Sequence, residues 1–250
     1  MSRYFIEIAY RGTAFSGFQS QENANTIQAE VEKAYLVLQR EAVVMTGSSR
    51  TDAGVHALQN YFHFDAVKEL HGQFVYKMNA ILPGDIVVKR VVRVGEACHA
   101  RFDAVAREYK YYIYRKKDPF LADRAYYFPY RLEMERLQEA ALAVREYTDF
   151  TSFSKRNTQV KSFLCSIYAS EWEMEGACWV YRVRGNRFLR GMVRALTATM
   201  LKVGRGTMSV AEFRGVVEAL DCTRASFNVP AAGLFLTGVE YPEGYFGGEG

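Results

Sequence analysis

The sequence of 250 residues lacks several features that would place a chain outside the ordinary folded proteins. It has four cysteines, none in a Cys-x-x-Cys pair and none at ligand spacing from a histidine, so we expect no metal site. It has no run of about 18 apolar residues, which argues against a membrane span. The start, residues 1–10, alternates like a strand and lacks the apolar segment of a signal peptide. We therefore expect a protein of the reducing cytoplasm with free thiols.

Acidic residues are absent from one long stretch, between Glu175 and Glu212. The basic residues of that stretch are Arg182, Arg184, Arg187, Arg190, Arg194, Lys202 and Arg205. Because the formal net charge of the whole chain is only +4, this local imbalance is more informative than the total. It predicts either a surface that faces an anion such as phosphate or a solvated basic face. Aromatic residues make up 14% of the chain, which indicates either a sheet-rich core or side chains that stack on nucleic-acid bases.

Hydrophobic spacing predicts both strands and helices along the chain. Period-two runs predict strands at residues 4–10, 61–64, 86–94, 108–114, 179–184 and 234–239. Period-3.6 patterns predict helices at 26–40 and 132–145 and a helix capped by Asn186. They also predict a last helix that is opened by the capping box Ser209-x-x-Glu212 and has Leu220 on its inner face. Because several strands follow one another without a helix, we expect the α+β class, with a central mixed, mostly antiparallel sheet flanked by helices. The element order suggests two similar α/β halves, residues 1–105 and 106–250.

One loop carries a charged side chain among glycines and serines. Asp52 lies between Thr51 and Ala53, and such a residue is often only the cap of a turn or helix. Arg50, two residues earlier, could hold the carboxylate ionised and oriented through a charge-assisted hydrogen bond. An ionised, positioned carboxylate can act as a nucleophile or as a base. Both interpretations stay open from these residues alone.

Several blocks along the chain resemble the tRNA pseudouridine synthase A family in sequence and in order. The core Arg-Thr-Asp-Ala-Gly-Val-His is intact at residues 50–56, and the other matching blocks lie at residues 10–19, 82–86, 99–102, 107–111, 188–194, 230–234 and 239–242. The chain departs from the usual family residue at Arg11, Phe18, Ser49 and Cys98. Arg11 and Phe18 fall in a loop expected to meet RNA, so these departures bear on substrate preference.

The resemblance implies a role for particular residues. Asp52 is the implied catalytic residue, either attacking the sugar or first removing a proton. Tyr109 is implied to contact the flipped base, Arg194 to pair with Asp52, and Arg50 to act at base extrusion. For Arg187, Arg190 and Arg205 we expect contacts with the tRNA backbone. The resemblance gives His56 no catalytic role, so we expect a structural hydrogen bond there; Tyr111 is expected in the core, and residues 204–206 to end a helix.

The implied activity is that of an isomerase. It converts uridine to pseudouridine in the anticodon stem-loop of tRNA, at positions 38, 39 and 40, without cofactor or metal. The resemblance also implies a cytoplasmic homodimer whose active site lies in the cleft between an N-terminal half, residues 1–105, and a C-terminal half, residues 106–250. Two other classes compete: a tRNA-binding module without catalysis, and a metal-dependent nuclease. The nuclease would need clustered carboxylates, and the acids nearest to Asp52 in sequence are Glu41 and Asp65.

Overall fold

The computed structural model describes residues 1–156 and 160–247. Its strands are β1 (Ser2–Tyr10), β2 (Thr46–Gly47), β3 (His56–Ala66), β4 (Ile86–Val94), β5 (Ala106–Tyr114), β6 (Tyr126–Tyr127), β7 (Ile167–Glu175), β8 (Cys178–Gly185) and β9 (Leu234–Glu240). Its α-helices are α1 (Ile27–Gln39), α2 (Phe74–Ile81), α3 (Met134–Val144), α4 (Met192–Gly204) and α5 (Val210–Glu218). The chain divides into two compact units, residues 1–105 with 236–250, and residues 106–235.

The first unit is built on antiparallel strands. β1 pairs with both β3 and β4, and β2 adds a short antiparallel pairing to β3. The helix α1 begins after Thr26, whose side chain accepts a hydrogen bond from the backbone N–H of Ala29, as an N-cap should. Its buried face carries Val31 and Tyr35, at the helical spacing that the sequence predicts. The ring of Tyr35 packs edge-on against Phe64 of β3, so α1 covers the strand that follows the loop containing Asp52.

The second unit is also built mainly on antiparallel strands. β8 pairs with β5 on one side and β7 on the other, while β6 pairs with β5 in parallel. The buried face of α4 includes Leu196 and Met200, and α5 begins with a complete capping box between Ser209 and Glu212, as predicted. These pairings within the two units, antiparallel except for β5 with β6, together with the helices confirm the predicted mixed α+β class.

Two predicted helix details are wrong. Asn186 does not cap α4: its side chain accepts a hydrogen bond from the backbone N–H of Ser166 (2.8 Å), and the helix begins only at Met192, after Gly191 in the left-handed region (φ 76°). Leu220 was expected on the inner face of the last helix, but α5 ends at Glu218. Leu220 is 51% exposed with a positive φ.

Among the described residues, no helix is long and apolar enough to cross a membrane. All four cysteines are free thiols, with Cys165 and Cys178 buried. Burial raises the pKa of the Cys165 thiol to about 11, so this thiol stays protonated at neutral pH.

Candidate active site

The loop that carries Asp52, residues 47–56, is anchored to β3 by one buried amide. The Asn60 side chain is fully buried; its Oδ1 accepts from the Ser48 hydroxyl (2.7 Å), and its Nδ2 donates to the Ser49 carbonyl (2.9 Å). The backbone N–H of Ser48 donates to the carbonyl of Tyr61 (2.8 Å). One side chain of β3 thus holds two successive residues of the loop, three and four positions before the aspartate.

A second set of bonds holds the residue next to Asp52. Nδ2 of Asn60 also donates to the Tyr10 hydroxyl (3.2 Å), and that hydroxyl shares a hydrogen bond with the Thr51 hydroxyl (2.7 Å). The Thr51 carbonyl accepts from the backbone N–H of Phe18 (3.1 Å). These buried polar groups satisfy one another, which is the condition under which a buried network is rigid.

Two glycines let the backbone approach this loop closely. A Cβ on Gly12 would lie 1.9 Å from the carbonyl oxygen of Val55, and a Cβ on Gly47 would lie 2.2 Å from Cε1 of Phe18. Neither position leaves room for a side chain. Glycine at position 12 lets the backbone approach Val55, and glycine at position 47 lets the loop pack against the Phe18 ring.

Asp52 itself is half-buried, whereas Arg50 is exposed. The carbonyl of Asp52 accepts a hydrogen bond from the N–H of Val55 (3.2 Å), which closes a turn through Gly54 in the left-handed region (φ 79°). The carboxylate therefore stands on a tight turn whose two ends, Thr51 and Val55, are buried. The acid is thus half-buried on a fixed backbone and keeps partial access to solvent.

Two neighbours of Asp52 in sequence, His56 and Ser49, are buried. Nδ1 of the buried His56 accepts a hydrogen bond from the backbone N–H of Gly12 (3.2 Å), which confirms the predicted structural role of this histidine. Ser49 is 8% exposed, and its hydroxyl has no hydrogen-bond partner among the described residues. A hydroxyl buried in this way costs free energy, and we have no physical account of why serine stands there.

Phe18 lies in the loop that we expect to meet RNA, but its ring is not presented to solvent. Its ring is 1% exposed and stacks on Phe62 with centroids 4.6 Å apart, so it belongs to the core beneath the loop. Arg11 is about half exposed and forms an ion pair with Asp85 (2.7 Å). Of these two departures from the family pattern, only Arg11 presents its side chain to solvent.

In the second unit, Tyr109 lies on β5 directly opposite Val183 of β8. Its half-buried ring meets the ring of Phe188 edge to face, with centroids 5.2 Å apart. Tyr111, two residues on along the strand, is fully buried and donates its hydroxyl to the carbonyl of Pro230 (2.7 Å). This confirms the prediction that Tyr111 is a core residue, whereas Tyr109 is only half-buried.

The predicted arginines of the second unit fall at two ends of one helix. Arg194 is in the first turn of α4 and donates Nε and Nη2 to the carbonyl of Val229 (3.1 and 2.7 Å). Arg187 and Arg190 precede the helix, which begins at Met192. Arg205 follows its last residue, with its guanidinium 4.1 Å from the ring centroid of Tyr130. Arg205 is eleven positions after Arg194, a helical rise of about 16 Å, so one phosphate cannot bridge them.

Part of the predicted basic stretch is already neutralised by carboxylates. Arg182 of β8 binds Glu108 (2.6 Å) on one neighbouring strand and Glu171 (2.7 Å) on the other. Lys110 of β5, which lies outside that stretch, forms ion pairs with Glu173 (3.2 Å) and with Glu175 on β7. Hydrogen bonding from Lys110 lowers the pKa of Glu175, so this carboxylate stays charged. The acids that the stretch lacks in sequence are supplied from β5 and β7.

Sequence reasoning missed the groups that hold the loop. Tyr10 and Asn60 lie 41 and 11 residues from the loop residues that they bind, Thr51 and Ser49. The only signal was a polar asparagine at a position of β3 that strand alternation would bury. Within the described part of the chain, no three His, Cys, Asp or Glu side chains are grouped so as to hold a metal ion.

Comparison with known proteins identifies the family. A sequence model described as tRNA pseudouridine synthase matches residues 7–103 and 147–242. The protein named tRNA pseudouridine synthase A of Parabacteroides distasonis is 46% identical over 249 residues, which are 98% of both chains. The proteins of the same name from Bacteroides thetaiotaomicron and Staphylococcus saprophyticus are 47% and 39% identical, over 100% and 94% of this chain and 94% and 89% of theirs.

The chain belongs to the tRNA pseudouridine synthase family. This membership confirms the predicted family and the predicted isomerase class. The core motif lies inside the first matched segment, and Arg194 lies inside the second. Tyr109 lies between the matched segments, so its assignment depends on the local sequence block at residues 107–111.

Proposed function

We propose that this protein isomerises uridine to pseudouridine in the anticodon stem-loop of tRNA, at positions 38, 39 and 40, with Asp52 as the catalytic carboxylate. The observation that carries the proposal is the intact core at residues 50–56, held on a glycine-bounded turn above a buried network that includes Asn60. Geometry of this kind fixes the carboxylate before the substrate arrives, which is where much of the rate of an enzyme originates.

The chemistry asks for little more than such a carboxylate and a way to hold the base. The N1–C1′ bond breaks, the uracil rotates, and C5 bonds to C1′, after which the C5 proton is lost and N1 is protonated. No atom is imported and no electron is gained or lost. Asp52 either attacks C1′ or removes a sugar proton first, and both routes need its ionised form.

The second unit would supply contacts for the base and for the charge. A uridine in a stem must leave its stack at a cost of a few kcal/mol, and an aromatic face returns about 1–3 kcal/mol per base. Tyr109 is the proposed base contact, because Phe188 supports one edge of its ring while the residue stays half-buried. Arg194 is proposed as the partner of Asp52 and Arg50 as the residue of base extrusion. Arg187, Arg190 and Arg205 are proposed to contact the tRNA backbone.

The test is tritium release from tRNA transcripts that carry C5-tritiated uridine. We expect the wild type to release tritium from anticodon-arm uridines, and Asp52→Asn to release none while it binds tRNA with a Kd close to the wild-type value. Asp65→Asn is the matched control, since Asp65 forms a surface ion pair with Arg3 in the same unit (2.7 Å) and should leave the rate unchanged. Tritium release by Asp52→Asn at the wild-type rate would refute the assignment. Tight tRNA binding without any release by the wild type would favour a binding module.

We also propose that the protein acts as a homodimer in the cytoplasm, as the family resemblance implies. Light scattering at working concentration should give a mass of about twice the 28.5 kDa chain, and a mass of one chain would contradict the proposal.

A further inference from the structure

A cavity of about 340 Å³ opens beside the Asp52 loop, within the first unit. It is lined by Gly47 and Arg50 of the loop, by Val44 from the preceding segment, and by Arg101 and Phe102 from the segment before β5. Its volume is in the range of small-ligand sites, large enough for one nucleotide. Of the residues that line it, the charged ones are arginines, so its field attracts an anion.

The most unusual lining residue is Phe102, whose ring is 75% exposed. An exposed aromatic ring is normally mobile, but this one belongs to a closely bonded turn. Nδ1 of His99 accepts from the backbone N–H groups of Arg101 (3.1 Å) and Phe102 (3.2 Å), and the Asp103 carboxylate accepts from the N–H of His99 (2.7 Å). The imidazole of His99 also stacks on the Phe102 ring, with centroids 4.2 Å apart.

His99 stacks on the phenyl ring, yet Phe102 stays 75% exposed, so the ring remains accessible to a ligand. The guanidinium of Arg101 lies 5.8 Å from the ring centroid, close enough for its charge to act beside the same ligand. Val44, which is 84% exposed, adds a second apolar side chain to the lining. A fixed aromatic face next to arginines is the combination that binds unpaired nucleotides, by stacking on the base and attraction to the phosphate.

The segment that carries Val44 is itself held in place. The side-chain amide of Gln28 donates to the Met45 carbonyl (2.9 Å) and to Glu32 (2.8 Å), and Glu32 in turn accepts from the N–H of Met45 (2.9 Å). These bonds fix the chain just after Val44. Both walls of the cavity are therefore preorganised, which lowers the entropic cost of binding a ligand.

We infer that this cavity binds an unpaired nucleotide of the RNA substrate other than the target uridine, with its base stacked on Phe102 and its phosphate beside Arg50 and Arg101. The inference rests on the proposed function, since it concerns the same RNA. A neighbouring nucleotide held here would position the RNA strand relative to Asp52, because Arg50 lines the cavity two residues before the carboxylate.

The first experiment measures the Kd for tRNA in the inactive Asp52→Asn background. Phe102→Leu keeps an apolar side chain but loses the aromatic face, and we expect the Kd to rise roughly 5- to 150-fold, the range that stacking of one base supplies. Phe102→Tyr keeps the face and should stay within about 3-fold. Phe120→Leu is the matched control, because Phe120 is 81% exposed in the second unit and should have no effect.

The second experiment separates the phosphate contact. Arg101→Gln should reduce the slope of log K against log salt by about one, as loss of one phosphate contact does. Arg93→Gln is its control, since Arg93 is exposed in the same unit but does not line this cavity. An unchanged slope for Arg101→Gln would overturn its place in the site.

The third experiment replaces one unpaired anticodon-loop nucleotide at a time by an abasic one. With the wild-type protein, an abasic nucleotide at one non-target position should weaken tRNA binding. With Phe102→Leu, the same abasic nucleotide should weaken binding no further. If every abasic effect is the same in both proteins, or if Phe102→Leu binds as tightly as the parent, the inference is wrong. If Phe102→Leu instead converts a dimer to a monomer in light scattering, the ring belongs to a contact between copies and the inference is equally overturned. Absence of tritium release by the wild type would count against the proposed function alone.

Discussion

The substitution Asn60→Ala tests whether the network under the Asp52 loop supports catalysis or only the fold. Removing the amide leaves the Ser48 hydroxyl and the Ser49 carbonyl without their bonds to this side chain, and Asn60 lies at 0% exposure, so water cannot replace them without rearrangement. A buried polar group left without a partner costs about 1–3 kcal/mol. We therefore expect the free energy of unfolding to fall by roughly 2–4 kcal/mol, and the Tm by roughly 5–15 °C for a chain of this size.

The effect on activity should exceed what lost stability explains. Below the Tm the protein remains folded, but the loop can shift, and a displacement of about 1 Å at a catalytic group costs on the order of 100-fold in rate. We expect kcat for tritium release to fall by roughly that factor. The KM for tRNA should stay within about 3-fold, because most of the binding surface is untouched.

Asn79→Ala is the control for this experiment. Asn79 is in the same unit and makes two backbone hydrogen bonds with Val88 (2.8 and 2.7 Å), away from the loop. It should lower the Tm to a similar degree and leave kcat unchanged. If Asn60→Ala lowers the Tm but keeps the wild-type kcat, the network serves the fold alone, and the argument that it positions Asp52 is refuted.

Two further predictions concern the same unit. Gly47→Ala would place a Cβ 2.2 Å from the Phe18 ring, so we expect a lower Tm and slower tritium release, whereas Gly72→Ala, with nothing within 4 Å, should change neither; equal behaviour of both variants would contradict the steric argument. Burial lowers the pKa of His63 from 6.5 to about 4, so the unfolded chain takes up a proton below pH 6.5 that the folded protein accepts only near pH 4. Stability should therefore be lost as the pH falls through that window, by at most about 1.4 kcal/mol per pH unit. Urea denaturation from pH 4.5 to 7 should show the full slope in the wild type and in His71→Gln and a smaller slope in His63→Gln, where the adjacent His99, whose pKa burial also lowers, still contributes; an unchanged slope in His63→Gln would disprove the assignment.

Local patterns predicted the elements whose stability is local. The helix α1 shows both its N-cap, Thr26, and its buried face in the sequence, and α5 shows its capping box. The predicted start of α4 was wrong because the Asn186 side chain binds the backbone of Ser166 instead of capping the helix. Ser166 lies twenty residues away, so a local sequence pattern cannot show this bond. The short helix α2 has no side-chain cap and eight residues, so its sequence signal was weak.

The candidate site divides in the same way. Asp52 and Arg50 could be selected from the loop itself, whereas their support by Tyr10 and Asn60 depends on a strand pairing that brings residues 50 apart in sequence into contact. The buried state of Phe18 has the same cause, since its stacking partner Phe62 lies on β3. The sequence can nominate residues by their chemistry, but it does not reveal residues whose place depends on what they pack against.

The ion pairs of β5, β7 and β8 change what a polyanion meets on the second unit. Arg182 and Lys110 are each held between two glutamates, so the field around them cancels within a few ångströms of the sheet. A count of positive residues along the chain overstates how many counterions RNA would release on binding. The measured salt dependence should therefore be shallower than the basic stretch suggests, and RNA should be guided away from this part of the strands.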